Sequence, residues 1–430
     1  MDTHIIAQLL MIVVLVLMIS GKTPLYITAI IGSTIVALVA GFPFSGKEEF
    51  SIASLVKSGL NPVIADMTGV LLFLGILEGS GFLAIIVQSV IRLGMRMGGA
   101  PGVCAAGSIA AGIMGMLTGY SPPIVTGAIA GPAAIKMGAD PNQTAGTLGH
   151  AGGLGNFGGF THPTQVALIA TVGIGFGLIN VVGAICALTI IFVSFTRMYF
   201  YMKKRNLLLS KEQTNEMVKE LERSSESKQV SAFIAFLPFI VLILGFIVGL
   251  PVFIVGVVCG VLVMLLAKIN LAQGEAMMIE GLQRMAIPLV ATIGFLYMSG
   301  AIKHIGLINT IGELLEPMLS VSPILVMLLV SIFAGTITQS YSASGALTIP
   351  MLTVVIAAGA NPLAACVAAA SGSALTQHFL TGGPVANLPT LIPVCEGSDL
   401  KTANRFQRPS ILCGVATVIM FSFLLNAISL

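Results

Sequence analysis

The stretch GYSPPIVTGAIAGPAAIKMGADPNQTAGTLGHAGGLGNFGGFTHPTQVALIATV, Gly119–Val172, decides how the rest of this chain is read. It is apolar enough for a membrane, yet it carries what a lipid-facing helix avoids. Gly152, Gly153, Gly155, Gly158 and Gly159 crowd together, with Asn156, Thr161, His162, Pro163 and Thr164 around them. A second stretch of the same character, Tyr341–Thr390, contains ASGSALTQHFLTGGPVANLPT. The two align without gaps. Tyr120-Ser121 falls on Tyr341-Ser342, Gly138-Ala139-Asp140-Pro141 on Gly359-Ala360-Asn361-Pro362, and Pro163 on Pro384. Ser80-Gly81 pairs with Ser299-Gly300 in a slightly different register. Paired apolar segments interrupted by Gly and Pro, in corresponding places of two halves, point to the binding region of a transporter.

Composition agrees. Of 430 residues 56% are hydrophobic and 9% charged, against about 25% charged in soluble domains. This is the composition of a polytopic membrane protein, and a net charge of +3 gives no reason to expect nucleic acid. The six cysteines are scattered without C-x-x-C spacing and read as small buried hydrophobes. The first apolar run, Ile5–Ile19, has no basic segment before it and no small-residue cleavage site after it, so it reads as a retained span.

A bilayer core needs roughly 20 apolar residues per helix. The spans expected in the first half are Ile5–Ile19, Leu25–Phe42, Met67–Leu93, a broken helix Asn142–Val172 and Leu178–Tyr199. Ser45–Asp66 reads as an amphipathic arm. Val103–Leu117 and Ile124–Met137 read as a re-entrant hairpin with its tip at Thr118–Pro123, because Pro122-Pro123 cannot continue a helix. The second half repeats the plan: Ala232–Leu250, Phe253–Ala267, an arm Asn270–Met285, a span Ile287–Leu307 broken at Ser299-Gly300, a hairpin with tip SYSASG, a broken span Pro362–Ile392, a charged loop to Arg408, and a last helix Ser410–Leu430. The expected fold is an all-α polytopic membrane protein of two inverted-topology repeats. Each has about five spans plus a re-entrant hairpin and a broken helix. The division is 1–202, a cytoplasmic linker 203–229 rich in Lys and Arg, and 230–430. An odd number of crossings per half inverts the second half. The first, second and last spans of each half, with the amphipathic arms, are expected to form a scaffold.

Two tips and two breaks are expected to meet at the midplane, where half-helix N-termini attract anions and C-terminal carbonyls suit a cation. The candidate substrate-binding residues are Thr118, Ser121, Asn156, Thr161, His162 and Thr164 from the first half, and Ser342, Ser344, Thr376, Gln377, His378, Thr381 and Asn387 from the second. Glu78, His162, Gly119, Gly155 and Gly382 are the candidates for ion coupling. His162 and His378 are intramembrane ionisable residues, hence functional candidates, suited to relaying a proton or orienting substrate; His150 is a weaker one. With no Lys or Arg in either break, a monoanion, or a substrate carried with cations, is favoured. No metal-ligand spacing, nucleophile–base set or phosphate loop is evident.

On these residues the chain resembles the ion transporter superfamily of secondary carriers, and within it the gluconate permease and lactate permease families. Phe160–Ala170, FTHPTQVALIA, resembles the gluconate permease stretch H-P-x-x-x-A-I-A. Ser342–Leu347 and Ala370–Ala374 resemble the lactate permease pattern. The resemblance implies alternating-access symport of a small organic anion with H⁺ or Na⁺, the anion being a hydroxy-monocarboxylate such as gluconate or lactate, or a dicarboxylate. It implies roles for His162, Pro163, Ser342 and Ser344, a place in the cell inner membrane and no bound cofactor. A homodimer is a further family-level expectation. The first tip lacks the acidic residue of both families, and the S-N-T tip of sodium–dicarboxylate carriers is missing. Two other readings stay open: a Na⁺/H⁺ antiporter of the same superfamily, and the large membrane subunit of a tripartite carrier fed by a periplasmic binding protein.

Overall fold

The computed structural model describes residues 3–20, 22–23, 27–45, 50–60, 62–118, 123–210, 212–214, 216, 231–248, 250–284, 286–380 and 387–428. These residues form helices and connecting turns with no strand. Large apolar side chains such as Val16, Phe192, Leu265 and Phe333 stand exposed on the outside, the pattern of a surface facing lipid rather than water.

The first half runs α1 (Thr3–Ser20), a π-helical turn (Thr28–Gly32) leading into α2 (Ser33–Val39), α3 (Ile52–Gly59), α4 (Pro62–Gly79), α5 (Phe82–Thr118), α6 (Pro123–Lys136), α7 (Pro141–Leu148), α8 (Ala151–Phe157), α9 (Pro163–Val172) and α10 (Leu178–Lys204). The second half runs α11 (Ala232–Val248), α12 (Val252–Ala267), α13 (Leu271–Arg284), α14 (Ala286–His304), α15 (Leu307–Leu319), α16 (Pro323–Thr338), α17 (Tyr341–Ala357), α18 (Pro362–Thr376), α19 (Asn387–Leu391) and α20 (Leu400–Ala427). The order of elements recurs: two helices, an arm, a long helix, a connecting helix, a hairpin, a broken helix and a last long helix.

Local chemistry explains where these helices begin. Asp140 and Asn361 cap α7 and α18, each followed by Pro at the first helical position. A capping oxygen answers amides that the first turn leaves open, and proline gives up an amide that would be open anyway. Gly138 and Gly359, two residues before the caps, both turn through positive φ, at +86° and +96°. The pairing read from GADP and GANP is therefore a pairing of backbone conformation as well.

The structure moves several expected boundaries. The third span ends at Gly79, and α5 starts afresh after Gly81 turns the chain at φ +79°. In the second half α14 continues unbroken through Ser299-Gly300. The turn falls at Gly306, φ +74°, after which α15 departs at 73° to α14. Gly81 thus matches Gly306, and not Gly300. The reason is local: glycine at positive φ ends a helix, whereas Ser-Gly inside an apolar helix need not. The charged loop to Arg408 is in fact the start of α20, which passes through Pro409. A further break, at Gly99 with φ +59°, divides α5 into a connecting part and the first limb of the hairpin.

Two sets of contacts stand out, joined where α9 lies against α14. In one, α4 lies against α12 and α13, and α14 lies against α2 and α3. The arms thus pack on the long helix of the opposite half. The backbones touch where a Cβ on Gly281 would stand 2.2 Å from Gly75 Cα. In the other, α10 and α20 pack on each other and on α7, α8 and α18. This overturns the expected scaffold. The last helix of each half belongs with the hairpins and broken helices, because its buried face carries the polar residues that hold the breaks.

Candidate functional site

The first break is narrower than the glycine cluster suggests. Gly152, Gly153 and Gly155 lie inside α8; after a short turn at Gly149-His150, the main break runs from Gly158 to His162. Gly159 is required there: a Cβ on it would stand 2.0 Å from the Gly155 carbonyl oxygen. The Phe160 amide donates to the Met116 carbonyl at 2.8 Å, tying the break to the first hairpin. Asn180, buried in the first turn of α10, donates from Nδ2 to the carbonyls of Gly159 (2.6 Å) and Gly158 (3.4 Å). Its Oδ1 accepts from the Gly177 amide at 3.0 Å. An unpaired carbonyl in a dry interior costs several kcal/mol, and this amide answers two of them.

α9 opens at His162-Pro163. His162 is itself the cap: its Nδ1 accepts from the Thr164 amide at 3.3 Å, so the ring carries its proton on Nε2. Against this helix start lies a second one. α17 opens at Ser340-Tyr341, with the Ser340 side chain capping Ala343. The Tyr341 ring stands 4.5 Å from the His162 ring, and its hydroxyl donates to Gln165 Oε1 at 2.6 Å. Thr164 Oγ1 donates to the Tyr341 carbonyl at 3.2 Å, and Ser344 Oγ to the same oxygen at 2.8 Å. Gln377, closing α18, accepts the Tyr341 amide on Oε1 at 2.9 Å. The second hairpin, the first break and the end of the second broken helix therefore meet at Tyr341. Two buried amide groups here, Gln165 Nε2 and Gln339 Oε1, have no partner among the described residues.

At the second break Asn404 of α20 donates to the His378 carbonyl at 3.3 Å. Arg408 Nε donates to the Phe379 carbonyl at 3.2 Å and to Asn404 Oδ1 at 2.9 Å. Asn404 thus does for the second half what Asn180 does for the first. The matching half-helix α19 packs on α6, where a Cβ on Gly127 would meet Leu391. Each post-break half-helix therefore lies against the hairpin of the opposite half.

Among the expected site residues, His162, Thr164, Ser344 and Gln377 come together here. Thr376 and Thr161 turn their hydroxyls to main-chain carbonyls, of Gly372 and Ile332 and of Met116 respectively. Asn156 and Ser342 are half-buried, as is His378, whose Nε2 is buried with no partner among the described residues. Gly155 is buried within α8. Glu78, expected deep inside a span, stands exposed in the last turn of α4, because that helix ends one residue later. Gly119, Ser121, Thr381 and Gly382 lie outside the described residues, as do positions 211, 215 and 217–230, which take in most of the linker. The side chains of Thr118 and Asn387 lie outside them too. Tyr341, Gln165, Asn180, Asn404 and Arg408 were missed as site residues. The repeat did mark Tyr341, by pairing it with Tyr120.

No family model and no curated relative matches the chain. Among solved structures it is similar to the YdaH transporter of Alcanivorax borkumensis, whose topology is described as unusual. The TM-score is 0.61 at 14% identity, with 98% of each chain covered. At that identity the likeness is one of fold. Together with the apolar helices, five of them long enough to cross a bilayer among the described residues, it makes this an all-α, multi-pass membrane protein.

Proposed function

We propose that this chain is a secondary active transporter of a small organic anion, working by alternating access with H⁺ or Na⁺ as the coupling ion. One observation carries the reading. Two helix N-termini, those of α9 and α17, open at one buried point between His162 and Tyr341. Helix N-termini present amides and the positive end of the dipole, so two that converge favour a carboxylate without a buried fixed charge. The hydroxyls and amides of Thr164, Gln165 and Gln377 suit the hydroxyls of a hydroxy-acid. The recurring order of elements supports division into repeats 1–202 and 230–430 joined by a cytoplasmic linker, inverted in an inner membrane. The resemblance to gluconate and lactate permeases supports a monocarboxylate.

The test is current recorded on a solid-supported membrane from reconstituted protein. Lactate, gluconate, succinate, citrate and an amino acid are each applied with and without Na⁺ and a pH step. A saturable current for a monocarboxylate is expected. Tyr341→Phe should reduce it about tenfold, the loss of one buried hydrogen bond worth about 1.4 kcal/mol. A Tyr341→Phe variant with full current would sink the site. A response to Na⁺ against pH with no anion current would make the chain an antiporter. Current restored only by a periplasmic extract would make it the membrane subunit of a tripartite carrier.

A further inference from the structure

A buried polar chain away from the Tyr341 cluster links three helices. His150, just ahead of α8, is 1% exposed; Ser194 of α10 and Ser410 of α20 are fully buried. His150 Nε2 lies 2.6 Å from Ser194 Oγ, and Ser194 Oγ lies 2.8 Å from Ser410 Oγ. Arg197, one turn along α10 from Ser194, places Nη1 3.5 Å from Ser410 Oγ. The guanidinium is held there by the Phe406 carbonyl, and it lies 4.4 Å over the Phe406 ring.

These contacts have a direction. A guanidinium only donates, so Ser410 Oγ accepts from Arg197. Among the described residues the one acceptor recorded within reach of its single hydrogen is Ser194 Oγ, which directs the Ser194 hydrogen to His150 Nε2; the reverse order would leave the Ser410 hydrogen buried without an acceptor. The ring must keep its proton on Nδ1, the opposite tautomer to His162.

We propose that His150 Nε2 is a proton-binding site closed by this chain, and that it takes the coupling proton when Ser194 turns its hydrogen away. The coupling role rests on the transport reading above. While Ser194 points its hydrogen at Nε2, no proton fits there. Binding one requires the Ser194 hydrogen to turn to Ser410 Oγ, which leaves the Ser410 hydrogen without an acceptor. Among the described residues, the charged or titratable groups whose charge acts on the ring are His378 beyond α18 and Arg197 from α10; Arg408 of α20 is turned to Phe379. A proton on His150 therefore adds positive charge beside an arginine, and it is held only once the Ser194 and Ser410 hydroxyls have turned. The proton joins the Nε2 lone pair from one aqueous side and leaves to the other, and no covalent bond between heavy atoms changes.

The chain is tested without transport by ¹⁵N spectra of the five histidines in nanodiscs, with His150 assigned by its loss in His150→Asn. At neutral pH the His150 ring is expected in the Nδ1–H form. In Ser194→Ala a large fraction should shift to Nε2–H, while the His162 signals stay in place. A wild-type His150 ring in the Nε2–H form, or one unmoved by Ser194→Ala, overturns the proton site. In proteoliposomes an inward proton gradient should accelerate wild-type anion uptake several-fold and leave Ser194→Ala uptake at its ungraded rate. Equal acceleration in both overturns the coupling role. A protein that moves no anion at all removes the transport reading and the coupling role with it, and the tautomer measurement still decides the proton site alone.

Discussion

The two breaks solve one problem with different chemistry. Each interrupts a helix inside an apolar protein and leaves carbonyls without their helical partners. At the first, Asn180 supplies both hydrogen bonds to the carbonyls of Gly158 and Gly159, and the glycines let the backbone fold close enough to Met116. At the second, Asn404 supplies one bond and Arg408 another, and Arg408 also holds Asn404 in place. The first break is built from neutral amides and close approach. The second carries a half-buried cation from the last helix. An interrupted helix in a membrane thus needs a donor from a neighbouring helix, and whether that donor is charged is free to differ.

The sharpest test replaces the amide by a carboxylate. Asn180→Asp would turn acceptor oxygens towards two carbonyls with no cation bonded to them among the described residues. A loss of about 3–5 kcal/mol is expected, measured as thermal unfolding in nanodiscs. Asn404→Asp keeps Arg408 as its partner and should cost only about 1–2 kcal/mol. Equal losses would show that Arg408 does not distinguish the breaks. Gly159→Ala should cost about 2–3 kcal/mol by overpacking against the Gly155 carbonyl, read as reduced yield of folded protein and a lower unfolding temperature. A neutral outcome would mean that the first break is looser than its contacts imply. The smallest effect is expected from Arg408→Lys. The charge stays, but the Nε donation to Phe379 and Asn404 is lost, at about 1 kcal/mol. No change would reduce Arg408 to a bystander.

Much of the architecture was legible. Hydropathy marked the spans, among them the starts of α16 at Pro323 and α18 at Pro362. The GADP and GANP pair aligned the halves, because Gly–x–Asx–Pro sets backbone conformation within four residues. The site was legible in part. His162 and Thr164 stood out as polar residues at a proline inside an apolar run, and Gln377 and Ser344 came with the repeat. Arg408 stayed hidden because it lies in the polar opening of α20, and Asn180 because a single amide in the first turn of a helix is ordinary. Glu78 misled because a lone carboxylate in an apolar run looks deep until the end of its helix is known.

By itself, then, the sequence determined the membrane class, the helical content and the twofold recurrence of hairpin and broken helix. Hydropathy, proline and glycine act within a few residues of where they stand. Only the tertiary structure decided that Tyr341 meets Gln165 across 176 positions, that Asn180 and Asn404 hold the breaks, and that the last helices join the hairpins. A buried hydrogen bond needs a donor and an acceptor facing each other in a dry interior, and no spacing along the chain encodes which two those will be.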